Sequence, residues 1–373
     1  MPKPILHKRP CILATGGAGY IGSHVVVELV AAGYQVVILD NFENADRQAS
    51  ARIPALTGGH VTLIEGDVRD ANTVAEILRL YAVQGVIHLA GKKAVGESVA
   101  DPILYFRDNL VGAISLLGAM QATGVRNLIF SSSATVYGIP KALPIREDAP
   151  LAALNPYGRT KLMIEEMIED LVVSWPDFRA ISLRYFNPVG AHSSGLIGEN
   201  PRGVPNNLFP YVAQTAAGQR KSVQVFGGDY DTADGTGVRD YIHVMDLARG
   251  HVRAVDYLFT PDKPQEQRHL KINLGTGQGY SVLEVIRAFS AACGFDVPFQ
   301  IVARRPGDAA SSFADATLAA ELLGWKTQFG LDRMCQDQWA FQKAFATRAA
   351  GVAPVPPVAA PFELATMSTA RVQ

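Results

Sequence analysis

Short apolar runs recur through the first half of the chain, each followed by a longer stretch whose apolar positions repeat with helical spacing. The runs lie at residues 11–15, 35–40, 61–66, 85–90, 127–133 and 180–185, and the helical stretches between them at 23–32, 71–81, 102–122 and 157–173. The runs are short and read as buried. Six such strand-and-helix units predict a parallel sheet with helices on both faces, an α/β doubly wound (Rossmann-like) fold.

The alternation stops after Asn187. Residues 188–207 are rich in Gly, Pro and Asn, and further elements are expected at 223–226, 272–274 and 281–292. This predicts two units: a dinucleotide-binding domain over 9–187, and a smaller C-terminal substrate-binding lobe over 188–345 from which residues 240–260 can return to the first. Residues 349–373, rich in Ala, Val and Pro, are expected to form a flexible tail. The sequence shows no internal repeat.

Charge changes the picture by exclusion. Lys and Arg number 34 against 35 Asp and Glu, and the longest basic run is His7-Lys8-Arg9, so the footprint of a nucleic-acid binder is missing. The cysteines Cys11, Cys293 and Cys335 have no metal-ligand or disulfide-framework spacing, and no metal site is expected. No apolar stretch reads as long enough to cross a bilayer and the N-terminus lacks a cleavable apolar region, so a cytoplasmic protein without a membrane partner is expected.

Candidate chemistry begins at Thr15-Gly-Gly-Ala-Gly-Tyr-Ile-Gly22, between the first strand and the first helix. Gly16, Gly19 and Gly22 have the spacing that lets backbone amides and a helix N-terminus meet a pyrophosphate. Alone, the cluster is equally a tight turn. Asp40, ending the second strand about 20 residues on, tips the balance: it suits a ribose 2′-hydroxyl and repels a 2′-phosphate, so NAD is expected over NADP, with Arg47 nearby as the counter-signal. Asp67 and Val68 close the third strand and can bracket an adenine. Leu89, Ala90 and Gly91 end the fourth, with Lys93 in reach of a phosphate; a turn and a solvated lysine are the bland alternatives.

Tyr157 and Lys161 stand four residues apart and so share a helix face, where the ammonium is expected to favour the phenolate. Such a pair is common by chance. Ser131-Ser132-Ser133, at the carboxyl end of the preceding strand, adds a hydroxyl that can bond both a substrate oxygen and the Tyr157 hydroxyl, which completes a catalytic constellation.

With these residues in place the chain resembles the extended short-chain dehydrogenase/reductases, and among them the UDP-glucose 4-epimerase family, over roughly residues 11–340. The resemblance rests on Thr15-Gly-Gly-Ala-Gly-Tyr-Ile-Gly-Ser23, Lys93-Ala-Val-Gly-Glu-Ser98, Phe130-Ser-Ser-Ser-Ala-Thr-Val-Tyr-Gly138, Arg184-Tyr-Phe-Asn-Pro-Val-Gly-Ala-His192 and Gly235-Thr-Gly-Val-Arg-Asp-Tyr-Ile-His-Val-Met-Asp-Leu247. It implies redox-neutral inversion at C4 of a UDP-hexose through a 4-keto intermediate, with Tyr157 as base, Lys161 on the nicotinamide ribose and Ser133 orienting the sugar hydroxyl. Tyr20, Ile21, Asn41, Asp108 and Tyr185 join the implied NAD contacts. Phe186, Asn187, Asn207, Gln224, Val225, Phe226, Arg239, Arg305 and Asp308 are the implied UDP-sugar contacts, for which salt bridging and core packing are the alternative roles. A homodimer formed through residues 102–122 and 157–173 is implied too, although Leu110, Ile114, Leu117 and Met163 can equally pack onto the sheet.

Three departures from the family pattern stand out: Leu89 for Phe, Asp108 for Asn, and Ser312 at the position that walls the sugar pocket. A small residue at 312 leaves room for an N-acetyl group and so for UDP-GlcNAc and UDP-GalNAc. A 4,6-dehydratase needs an Asp-Glu pair after the active-site Ser or Thr, and this chain has Ala134 and Thr135 there. A non-catalytic dinucleotide sensor with the same fold is the rival from another class; such proteins often lack the Tyr or the Lys.

Overall fold

The computed structural model describes residues 9–201, 203, 205–260, 268–305 and 307–349; the tail expected over 349–373 lies outside the described residues from 350 on. Six strands form at the apolar runs: β1 Cys11–Thr15, β2 Gln35–Asp40, β3 Val61–Glu65, β4 Gly85–His88, β5 Asn127–Ser133 and β6 Arg179–Tyr185. They are parallel, with β4 and β2 on either side of β1, so the order reverses beside β1. Ligands of open α/β sheets bind at such a reversal, outside the carboxyl ends of the strands.

A seventh strand, His269–Leu274, pairs in parallel with β6 and forms the edge of the same sheet. Residues 272–274, expected in the second unit, belong instead to the large sheet; their partner lies more than eighty residues upstream, where no local signal points. Helix Val244–Phe259 also returns, packing against helix Tyr20–Ala31, and Leu323 and Trp325 join the same core face. The opposite face is covered by helices Ala71–Leu80, Val111–Thr123 and Pro156–Ser174. A separate core built from Phe209, Val223, Val225, Phe289 and Met334 holds the smaller lobe.

The helix expected over 102–122 is interrupted. Pro102–Tyr105 leads into a π-helical turn at Phe106–Leu110 before Val111–Thr123 resumes as α-helix. By length and composition this 22-residue run is apolar enough to cross a membrane, contrary to the expectation that no stretch was. Ala113, Leu116, Ala119 and Met120 spend that apolarity on the sheet, as core helices do.

Candidate active site

The glycine loop is tight for two different reasons. Gly16 has φ +71°, and a Cβ on it would lie 2.6 Å from the backbone nitrogen of Ala90, while one on Gly22 would lie 2.3 Å from the Gly16 carbonyl oxygen. Both are demanded by the protein's own packing. Gly19, which precedes the helix Tyr20–Ala31 that holds Ile21, is different: a Cβ there meets only the Gly16 oxygen, at 3.3 Å. Its bareness leaves the helix N-terminus open to a phosphate.

Asp40 closes β2 beneath this loop. Its carboxylate oxygens accept from the Ala18 amide at 3.0 Å and the Phe42 amide at 2.9 Å, and burial, opposed by those two bonds, raises its pKa. Arg47, the counter-signal for a 2′-phosphate, is instead bound through both its terminal nitrogens to Glu65 and lies over the Phe42 ring. The loop and Asp40, with the Arg47 guanidinium engaged by Glu65, therefore fit NAD.

At the adenine side, Asp67 faces Arg69, which donates from its amide, Nε and Nη2, and Asn41 adds a fourth bond at 3.1 Å. The Arg69 side chain holds the Asp67 carboxyl down to about 2. Arg69 also reaches Asp108 at 2.6 Å, and Arg107 and Lys92 converge on the same carboxylate. Asp108 thus stands within a ring of cations that an Asn could not neutralise. Its neighbour Asn109, which sequence reasoning missed, turns inward: it grips the Lys92 main chain through both amide atoms and bonds the Thr160 hydroxyl. The π-helical turn carries both residues.

β4 ends at His88, so Leu89 and Ala90 follow the strand and are not part of it. Leu89 donates its amide to Thr15 and packs against the core, Val68 packs on the other face, and Gly91 is exposed. Lys93 extends over the Tyr20 ring, 5.7 Å from its centroid, and binds Glu199 at 2.8 Å. The Tyr20 hydroxyl in turn donates to the Gly190 carbonyl.

Tyr157 and Lys161 lie in the first turns of helix Pro156–Ser174, whose start is fixed by Pro156 and by the Asn155 side chain accepting from the Gly158 amide. The Lys161 ammonium is 5.8 Å from the Tyr157 ring centroid and donates to the Ser131 carbonyl at 2.7 Å. Burial brings it down to about 8 against the pull of Glu165. Ser133 Oγ accepts from the Thr135 amide and hydroxyl, so its own proton is left to donate. The Tyr157 phenol stands beside Ser133 and Lys161. Burial raises that phenol, and the opposing influences are the Ser133 hydrogen bond and the charge of Lys93.

Tyr185 is buried: its hydroxyl meets His251 in the core, and its phenol is also close enough to Tyr157 to feel its charge. Phe186 packs with Tyr137, Ile145 and Ala314. Val225 is likewise a core residue, leaving Gln224 and Phe226 exposed on the same strand. Beside Phe226 stands Arg305, 4.7 Å from the ring centroid and bonded to Asp308, which also faces Arg239 at 3.8 Å. Ser312 pairs with Arg239 across two short strands.

Asp240 fixes this second cluster. Its buried carboxylate accepts from the amides of Thr276, Gly277 and Ala314 and from the Thr276 hydroxyl, while its carbonyl takes both the amide and the side chain of Asn187. Asn207, before helix Leu208–Ala216, points to Glu199. Neither Asp240 nor Glu199 was singled out from the sequence, because each acts through loops distant along the chain. Among the described residues no group of three His, Cys, Asp or Glu side chains gathers as for a metal.

The family model described as GDP-mannose 4,6 dehydratase matches residues 13–338. The UDP-glucose 4-epimerase of Homo sapiens is 53% identical over 340 residues, covering 89% of this chain and 96% of that protein. Among solved structures, the UDP-glucose-4-epimerase of Stenotrophomonas maltophila, with bound NAD and formylated UDP-arabinopyranose, is 51% identical with a TM-score of 0.87, covering 91% of this chain and all of that one. That from Bifidobacterium longum, in complex with NAD+ and UDP, is 49% identical with a TM-score of 0.85 over 90% and 98% of the two chains. The chain belongs to the extended short-chain dehydrogenase/reductases and, within them, to the UDP-glucose 4-epimerase family, with NAD as its cofactor.

Proposed function

We propose that the chain interconverts UDP-galactose and UDP-glucose by inverting C4 through a 4-keto sugar. The observation that carries this is the convergence of Tyr157, Lys161 and Ser133 beside the glycine loop, with Ala134 and Thr135 where a dehydratase would need carboxyl groups. NAD, when bound, would supply the acceptor for the C4 hydrogen and its return, leaving no net oxidation. Tyr157 takes the proton of the O4 hydroxyl and gives it back. Ser133 orients that oxygen through its hydroxyl, which also bonds the Tyr157 phenol. Lys161 stabilises the phenolate by charge and binds the nicotinamide ribose.

The smaller lobe over 188–345, less the segments that return to the large sheet, serves as the UDP-sugar lobe. Arg239 and Arg305 offer planar donors to the diphosphate, with Asp308 holding both guanidinium groups, and Asn207, Gln224 and Phe226 frame the nucleotide. Inverting C4 requires the sugar to present its other face while the UDP stays anchored. The test is to incubate purified protein with UDP-galactose and with UDP-GalNAc and identify the products by NMR. Both C4 epimers are expected. A 4-keto-6-deoxy product, or no conversion after NAD is added, would overturn the assignment.

The acetylated activity depends on the small side chain of Ser312 beside Arg239. Ser312→Tyr is expected to lower turnover of UDP-GalNAc at least tenfold relative to UDP-galactose; an unchanged ratio would remove residue 312 from the specificity argument.

A second copy of the chain, and the cytoplasm as its compartment, complete the proposal. Leu117 is core and Leu110 packs against it, but Ile103, Ile114 and Met163 are exposed on neighbouring helices, with Val95 and Val99 beside them. Such a contiguous apolar face suits an isologous dimer interface. Light scattering is expected to give twice the chain mass, and Ile103→Asp to return it to one.

A further inference from the structure

We infer that Glu199 is a positioning residue: its buried carboxylate holds the Lys93 ammonium in the gap between the glycine loop and Tyr157 and, through Asn207, ties that cation to the UDP-sugar lobe. The inference rests on the epimerase assignment and adds a residue to it.

Glu199 is placed with unusual firmness for a loop residue. The preceding segment is closed by a bridge between Ala191 and Gly198, and a Cβ on Gly198 would come within 2.6 Å of the Phe341 ring, so the loop is seated on helix Leu331–Ala349. The carboxylate bonds Lys93 at 2.8 Å and Asn207 at 3.1 and 3.4 Å. A buried carboxylate is retained only where it is paired. The pair is lopsided, with the Glu199 side chain 7% exposed and that of Lys93 45% exposed. The anion is thus fixed in the protein and the cation is presented to the cleft.

Lys93 stands where its charge acts on Tyr157, pulling the phenol down against the larger effect of burial. Glu199 moderates that pull. The other groups facing Tyr157 are Ser133, Lys161 from its own helix, the Tyr185 phenol at the end of β6, and Tyr105, whose hydroxyl donates to Glu97. His88 and Glu165 flank Lys161. None of these is altered when Glu199 or Lys93 is replaced.

The sign follows from charge. Removing the negative charge at 199 leaves Lys93 unneutralised and favours the phenolate, whereas removing Lys93 disfavours it. With NAD-loaded protein and UDP-galactose, Glu199→Gln is expected to move the acid limb of the kcat/KM profile to lower pH by roughly one unit, and Lys93→Met to move it to higher pH. Glu199→Gln is also expected to raise KM for UDP-galactose, because Asn207 loses its charged partner. Limbs that stay in place, or that move in the same direction, would overturn the inference, including where thermal stability falls. Should Glu199→Gln not fold, Lys93→Met alone still decides, since its side chain is half exposed: an unmoved or lowered limb rejects the inference. An inactive wild-type protein would reject the epimerase assignment, which is a different failure.

Discussion

Tyr157→Phe yields a protein that keeps its NAD and epimerises UDP-galactose about 100- to 10,000-fold more slowly, the range spanned by a positioned general base. The substitution removes one oxygen and leaves the ring, so helix Pro156–Ser174 and the glycine loop are undisturbed. What is lost is the acceptor for the O4 proton, which no neighbour can replace: Ser133 is engaged as an acceptor by Thr135, and the Lys161 ammonium is committed to the Ser131 carbonyl. The measurement is kcat beside the NAD content of the purified protein. Turnover near that of the wild type would exclude Tyr157 as the base, and loss of NAD would mean that the phenol is chiefly a cofactor ligand. A non-catalytic sensor would show no turnover to lose.

The second large effect is on stability. Arg184 and Glu165 form an ion pair of which almost nothing is exposed, with Nε at 3.0 Å and Nη2 at 2.6 Å from the two carboxylate oxygens. Ser132 donates to Glu165 at 2.5 Å, and Arg184 also reaches the Tyr137 hydroxyl and the Glu147 carbonyl. Arg184→Met strands a charge in a dry core, and breaking one half of such a pair costs about 3–5 kcal/mol. For a protein of this size the midpoint of thermal unfolding is expected to fall by at least several degrees. Adding Glu165→Gln to the same chain should recover part of the loss, because the stranded charge goes with it. Equal stability of Arg184→Met and wild type would show that the network is not held as described.

The large sheet was legible because strands buried on both faces are written as apolar runs, and six of its seven strands lie where those runs fall. The seventh was visible as an element but not as a neighbour of β6, since pairing across more than eighty residues leaves no periodic trace. The glycine loop, Tyr157 with Lys161, and Ser133 were legible through spacing, because the chemistry sits within a turn of helix or at a strand end. Asp240 and Glu199 were not, as each draws its partners from loops far apart in the chain. Tyr185 and Val225 illustrate the converse. A motif names a position, but which face of the strand meets the ligand is set by the pleat, and here both side chains fall on the core side.

The return of His269–Leu274 to the edge of the large sheet bears on how the protein is made. When the ribosome has completed β6, its outer edge has no partner, and some eighty residues must still be added before one is available. At about 5–20 residues per second, that edge stays open for on the order of ten seconds. An unpaired strand of buried type is a template for joining another chain, so the nascent protein passes through an interval in which β6 is open, as it is not in the finished one. A fragment ending at residue 187 would remain in that interval permanently, which is why the cofactor half is a poor candidate for excision as an independent module.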